Sequence, residues 1–561
     1  MTRFRRPLAR VRLATVGWLL LTAGVVCAAP PPALVVVIAL DQFRADYLEK
    51  FRPQFGPGGF RLLLEQGADF TDCHYRHSLT KTAPGHSVML TGVHANLHGI
   101  IGNDWIDRES LERVSCVGDT TVQIVGLPPP TGPHLPGILD PYLGRSPRNL
   151  LVTTVGDEWK LARGNRPKVI GISNKDRAAI LMSGHLADAA YFMENGRMVS
   201  STYYMKELPA WVSAFNASGR ADSYFGRVWD RVLPAAAYDA QGPDDAPGEF
   251  DGLGLGRTLP KTITGGETKP GQKFYDTLFH TPFASELLAD FARAAIENEN
   301  LGHHGVTDIL CMSFSATDYI GHDYGPDSHE VMDNIVRTDC ILATFLKFLD
   351  DRLGLKNCTI VLTADHGTPP LPERLKAIDP RFDAGRVDNA RVLAVAEAAL
   401  VRAFGPLAGS RHWIVPDGYS LLFGHGALAE KKIDAAAAEA VVRDALLTID
   451  FVQAAYTAED LKRGQFTDDL GRRAVLSYNA ARSGDVFYQT KPYWLDRDKT
   501  GTNHGSPYNY DTHVPLLWLG VGVTPGVRTE RVGVDDLAPT LAHILGLPAP
   551  PFSAGRVLFP Q

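Results

Sequence analysis

Residues 33–40 read ALVVVIAL, eight apolar residues without a polar break, and Asp41 ends the run. A strand with one wet face alternates apolar and polar residues. A continuous β-branched run fits a strand buried on both faces, which means a parallel sheet with helices outside it. Two similar runs come much later, DILCMS at 308–313 and TIVLT at 359–363, and VPLLWL at 514–519 is a fourth. Helical patterns lie between them, as at 328–353 and 535–545. Strands alternating with helices predict an α/β fold with a doubly wound, mostly parallel central sheet.

Two stretches break that rhythm. Residues 186–285 are rich in Tyr, Gly, Pro and Asp, and residues 370–490 mix helical, Ala-rich and strand-like pieces. Both are expected as inserted cap segments above the sheet. The core would then come in three parts, 33–185, 286–369 and 491–561. There is no internal repeat, and the only low-complexity tracts are the prolines at 30–32 and 128–130.

The first 29 residues read as a secretory signal peptide. Arg3, Arg5, Arg6, Arg10 and Arg12 make a positive start, a short apolar stretch spans 13–28, and small residues precede Pro30. The stretch falls short of the ~20 residues a membrane span needs. A lipid anchor at Cys27 is disfavoured by Gly24. The expected location is periplasmic or secreted, with no stable membrane insertion. The formal net charge is −7 and becomes more acidic once five arginines leave, so nothing advertises a nucleic-acid partner. Of the five later cysteines, Cys311 reads as a core residue. Cys73 with Cys116 and Cys340 with Cys358 could pair in an oxidising compartment.

Acidic and histidine residues stand where the parallel strands would end. Asp41 follows the first run, Asp365 and His366 follow the third in TADHG, and Asp318 and His322 follow the second in SATDYIGHDYG. Asp318 and His322 are four apart, one helical turn. His504 comes in TNHGSP, just before the last run. Open α/β sheets bind ligands at the carboxyl ends of their strands. The mixture of carboxylate oxygen and imidazole nitrogen suits two metal ions and favours zinc. Thr82, in SLTKTAPGHSVMLTG, is the nucleophile candidate, with Pro84 in the first turn of a helix that it would open. His86, on the same helix, reads as a packing residue.

As a set these motifs resemble the alkaline phosphatase superfamily, and within it the secreted PafA-type phosphatases with a threonine nucleophile. The likeness runs through VVVIALDQFRADYL, TKTAPGHSVMLTG, HGIIGNDW, GISNKDRAAILMSGHLADAAY, SATDYIGHDYG, TADHG and TNHGSPYNYDTHVPLLWLG, from residue 35 to 520. It implies that Asp318, His322 and His504 hold one zinc. Asp41, Asp365, His366 and Thr82 would hold the other, with Thr82 also the nucleophile. It further implies that Asn103, Lys175 and Arg177 clamp the phosphoryl oxygens, and that the reaction passes through a phosphothreonine.

Charge agrees with a monoester. Two zinc ions balance three aspartates and a threonine alkoxide, and Lys175 with Arg177 then matches a phosphate monoester dianion. One close charge pair is worth about 4 kcal/mol at an effective dielectric near 20. The expected function is therefore a zinc-dependent alkaline phosphatase acting on small-molecule phosphate monoesters. The alternatives are a phosphodiesterase or nucleotide pyrophosphatase of the same superfamily, or a non-catalytic periplasmic phosphate- or metal-binding protein. Physiological substrate and oligomeric state are not legible.

Overall fold

The computed structural model describes residue 2 and residues 30–127, 143–409 and 411–560. The expected leader at 1–29 lies, but for residue 2, outside the described residues, as do the prolines at 128–130. Among the described residues no helix is long and apolar enough to cross a membrane.

Eleven strands form one sheet. In chain order they are β1 (Leu34–Leu40), β2 (Ala68–Phe70), β3 (Gly118–Val125), β4 (Leu143–Arg145), β5 (Val169–Ser173), β6 (Ala189–Glu194), β7 (Arg197–Ser201), β8 (Asp308–Phe314), β9 (Cys358–Thr363), β10 (Leu516–Gly520) and β11 (Gly526–Arg528). Their spatial order is β11-β2-β10-β9-β1-β8-β5-β6-β7-β3-β4. Every residue of β1, β5, β8 and β9 is buried. Successive side chains of a strand point to opposite faces, so this burial means both faces of the sheet centre are covered.

The centre is parallel, and antiparallel pairs enter on both sides of it. β1 lies between β8 and β9 and parallel to both, and β5 and β6 continue the parallel run beyond β8. On the near margin β10 runs antiparallel to β9, with Leu516 opposite Thr363. On the far margin β7, β3 and β4 pair antiparallel. The apolar run at 514–519 is therefore core strand, as its composition suggests, but reversed. That reversal places the amino end of β10 at the carboxyl edge of β9, so the loop before it arrives at the same edge as Asp365.

Six helices matter for the site: α1 (Thr82–Thr91), α2 (Asp176–Ser183), α3 (Phe283–Asn298), α4 (Ala316–Tyr324), α5 (His329–Leu353) and α6 (Leu537–Ile544). α1 packs on α2 and α6, while α3 and α4 pack on α5; α2 and α3 each rest on β5 and β8. The long α5 begins where a serine can cap it, the Ser328 hydroxyl accepting from the Val331 N–H.

The inserted segments are more ordered than composition suggests. Residues 189–201, expected above the sheet as part of 186–285, are β6 and β7 of the sheet itself. Within 370–490, Ile414–Asp417, Ser420–Phe423, Val486–Thr490 and Val452–Thr457 form a separate four-stranded antiparallel sheet, in that order. Helices Asn389–Phe404 and Ala435–Leu446 pack on each other, and Leu400, Trp413, Val442 and Val486 share an apolar cluster of their own. All five described cysteines are free thiols, so neither Cys73–Cys116 nor Cys340–Cys358 is bonded. Cys340 is exposed on α5, whereas Cys358 is buried at the start of β9.

Candidate active site

Four adjacent parallel strands deliver the candidate residues to one edge. β1 runs straight into buried Asp41, and β9 is followed after one alanine by buried Asp365 and His366. β8 is followed by α4, whose first turn carries Asp318 and whose next turn carries His322. β5 is followed by Lys175, the residue that precedes α2, and by Arg177 inside it. The loop leading to β10 adds His504.

These residues, scattered over more than 450 positions, come together as two touching clusters. In one, single ligand-type atoms of Asp41, Asp365 and His366 all lie within 4.8 Å of one another. In the other, Asp318 Oδ1 is 3.2 Å from His322 Nε2 and 3.6 Å from His504 Nε2. The clusters meet directly, for the rings of His366 and His504 stack with centroids 3.5 Å apart. Lys175 Nζ bridges them too, at 2.6 Å from Asp41 Oδ2 and 2.5 Å from Asp318 Oδ2.

The imidazoles are oriented as ligands. Nδ1 of His322 lies 2.8 Å from the Thr502 carbonyl, Nδ1 of His504 2.6 Å from that of Thr80, and Nδ1 of His366 2.9 Å from that of Gly367. A carbonyl only accepts, so each Nδ1 carries the proton and each Nε2 presents a lone pair to the site. Burial lowers the basicity of His366 and His504, which favours the neutral, ligating form. Burial, with Asp318 and Asp365 close by, pushes the Asp41 carboxyl well above the usual range. Burial also acts against ionised Asp318, but His322 and Lys175 outweigh it and hold that carboxyl well down.

Three buried atoms face each other with no hydrogen-bond partner: Asp41 Oδ1, Asp365 Oδ2 and His366 Nε2. His366 Nε2 is 3.5 Å from the first and 3.3 Å from the second. Orphaned acceptors at this depth are costly unless something positive fills the space between them. Two oxygens and a nitrogen converging in this way fit a divalent cation. A third acidic and histidine grouping, Asp72, His74 and His513, is different. Both His74 nitrogens and His513 Nε2 already have partners in Thr512, Asp72 and the Thr71 carbonyl.

Thr82 opens α1 and is buried. Its hydroxyl makes no hydrogen bond to another described protein atom. Asn103 Oδ1 accepts the Ala83 N–H at 2.9 Å, which caps the helix and leaves the Asn103 amide NH2 as the free end. Arg177 Nε is buried and unpaired. The Asn103 amide NH2 and Arg177 Nε thus keep open valences.

Sequence reasoning passed over Gln42 and Asp511, and read His86 as packing alone. The Gln42 N–H donates to Asp365 Oδ1 at 3.0 Å, and its Nε2 donates to Asp318 Oδ1 at 2.8 Å, so one residue braces a carboxylate of each cluster through its backbone and its side chain. Buried Asp511 accepts from the Gly505 and Ser506 N–H groups and from the Ser506 hydroxyl, which fixes the loop carrying His504. His86 does pack within its helix region, with Nε2 2.8 Å from Ser313 Oγ, but its Nδ1 also comes within 3.3 Å of Asp365 Oδ2. The adjacency of Gln42 to Asp41 was the only local signal for any of them.

Comparison with known proteins places the chain in a family. A family model described as type I phosphodiesterase / nucleotide pyrophosphatase matches residues 35–401. The chain is 34% identical to alkaline phosphatase PhoV of Synechococcus elongatus, over 94% of this chain and 92% of that one. It is 33% identical to alkaline phosphatase PafA of Elizabethkingia meningoseptica, over 94% of each. A crystal structure of wild-type PafA superposes with a TM-score of 0.86 at 32% identity, covering 95% of this chain and 99% of that one.

Proposed function

This chain belongs to the type I phosphodiesterase / nucleotide pyrophosphatase family and is an alkaline phosphatase; we propose that it hydrolyses phosphate monoesters with two zinc ions and a phosphothreonine at Thr82. The observation that carries this reading is the convergence of Asp41 Oδ1, Asp365 Oδ2 and His366 Nε2, all unpartnered, beside Asp318 with His322 and His504.

Asp41, Asp365 and His366 with Thr82 would hold one ion, and Asp318, His322 and His504 the other. When bound, the pair would offset the carboxylate charge and lower the pKa of the Thr82 hydroxyl. Thr82 Oγ, its proton given up to solvent, attacks phosphorus, the Oγ–P bond forms, and the ester P–O bond breaks. The departing alkoxide takes a proton from water. The amino end of α1 favours the negative charge on Oγ. The Asn103 amide and the Arg177 guanidinium, whose Nε is unpaired, donate to equatorial phosphoryl oxygens, and Lys175 moves from its two carboxylates to a third oxygen. Water then attacks phosphorus, the P–Oγ bond breaks, and inorganic phosphate leaves as the hydroxyl is restored. The leader supports a periplasmic or secreted location.

Turnover of p-nitrophenyl phosphate tests the reading. Thr82→Ala should lower it by about 10³-fold or more, and chelation should abolish it. Chelator-resistant turnover would overturn the two-metal site. Against the diesterase alternative, replacing both Lys175 and Arg177 with alanine should cost far more on a monoester than on a diester; equal losses would overturn the substrate assignment.

A further inference from the structure

Beside the Asn103 edge of the site lies a cavity of about 200 Å³ that no role above uses. Leu79, Lys81 and Asn103 from the core form one side, and Tyr419, Phe487 and Asp496, from the second inserted segment and the residues after it, close the other. The cavity exists only because the 370–490 segment folds back over the amino end of α1.

Lys81 is its distinguishing residue. It immediately precedes Thr82, yet its ammonium has no carboxylate within ion-pair distance and no hydrogen-bond acceptor among the described residues. That sets it apart from Lys175, which grips two carboxylates. Its stem is held by the backbone of the His504 loop: a Cβ added at Gly505 would lie 2.6 Å from Lys81 Cε and 3.1 Å from Nζ. The lysine therefore stands on the His504 side of the site, alongside the Asp318–His322–His504 cluster. Under the proposed assignment of Thr82 to the other cluster, an in-line displacement sends the leaving group to this side.

We infer that this cavity is the leaving-group subsite and that Lys81 is its charged contact, which makes ring-sized, oxygen-bearing leaving groups (aryl or sugar) the preferred esters. The inference rests on the phosphomonoesterase reading above. The volume supports the size: at ~30 Å³ per water it equals about seven waters, room for one ring and its substituents but not for a polymer. The walls support the chemistry, since Leu79, Tyr419 and Phe487 offer apolar surface to a ring while Lys81 offers a donor to its oxygen. Lys81 acts here by binding and orientation, and no proton transfer is assigned to it.

The test compares methyl phosphate, whose leaving group is too small to enter the cavity, with phenyl phosphate and a sugar phosphate, on the metal-loaded enzyme. Lys81→Met keeps the apolar stem and removes the charge. It should lower kcat/KM on the two ring esters about tenfold more than on methyl phosphate, and Lys81→Arg should recover part of the loss. Calorimetric binding gives a readout free of turnover. The variant should weaken phenylphosphonate by a similar factor and inorganic phosphate by much less. Equal losses on all three esters, with inorganic phosphate weakened as much as phenylphosphonate, would place Lys81 on the phosphoryl group and overturn the subsite. No loss on any ester would overturn it too. If the wild-type enzyme hydrolysed none of the esters, the monoesterase reading would fall, while the phosphonate-to-phosphate binding ratio would still report on the cavity.

Discussion

Gln42 shows how much one residue can hold. Its backbone is in the left-handed region, at φ 62°, a conformation uncommon for residues with a Cβ. That turn aims its N–H at Asp365 and its side chain at Asp318. Gly321 leaves the room, since a Cβ there would sit 1.9 Å from Gln42 Oε1. Gln42→Glu keeps the length, removes the amide donor and brings a negative charge against Asp318. We expect kcat/KM for a monoester to fall about 10–100-fold with the thermal midpoint little changed. Parallel steady-state kinetics and thermal melts check this, and an unchanged rate would show that the brace is dispensable. At this scale the sequence spoke through residue type. Carboxylates and histidines closing apolar runs are legible because they are expensive there without a partner. Gln42 was not legible, because its role comes from a backbone angle and from two partners about three hundred residues away.

At the scale of elements, the close approach of α1 to the end of β9 sets the distance between nucleophile and ligands. Gly85 makes it possible: a Cβ at this position would stand 2.4 Å from the Asp365 carbonyl oxygen and 2.9 Å from Asp365 Cβ. The Tyr75 hydroxyl ties the same junction, donating to the Gly85 carbonyl at 3.2 Å and to that of Ala364 at 3.0 Å. Gly85→Ala should displace the helix, cost about 1–3 kcal/mol, and lower activity more than the lost stability explains. Denaturant melts beside turnover at a temperature where the variant is folded separate the two effects. Helix α5 and strands β1, β8 and β9 were readable from periodicity and apolar runs. The direction of β10 was not, since VPLLWL reads the same in either sense and only pairing with β9 decides it. The start of the first inserted segment was read as cap for a related reason: β6 and β7 form a hairpin, and only pairing with β5 and β3 puts that hairpin in the main sheet.

For the molecule as a whole, the orphaned ligands predict that metal is a structural term as well as a chemical one. A ligand that binds only the folded state at a hundred times its dissociation constant adds about 2.7 kcal/mol. Chelation should lower the thermal midpoint and re-addition of zinc restore it; an unchanged midpoint would argue against tight sites. A second global effect comes from buried Glu249, whose carboxyl is pushed up to about 9 by burial and then by Glu330. The folded chain holds this proton where the unfolded chain, titrating near 4.5, has released it. Between those values the native state binds more protons, so stability falls as pH rises. Glu249→Gln should flatten that decline, read as the thermal midpoint from pH 5 to pH 9. The sequence by itself determined which strands are buried on both faces, and that acids, imidazoles and a threonine stand at their ends, because burial pattern and side-chain chemistry are local properties. Tertiary structure alone decided that the last strand runs backward to bring His504 to the site, that each imidazole turns its Nε2 inward, and that a cavity opens beside Lys81. Each of these depends on contacts between residues far apart in the chain, and no local pattern encodes such contacts.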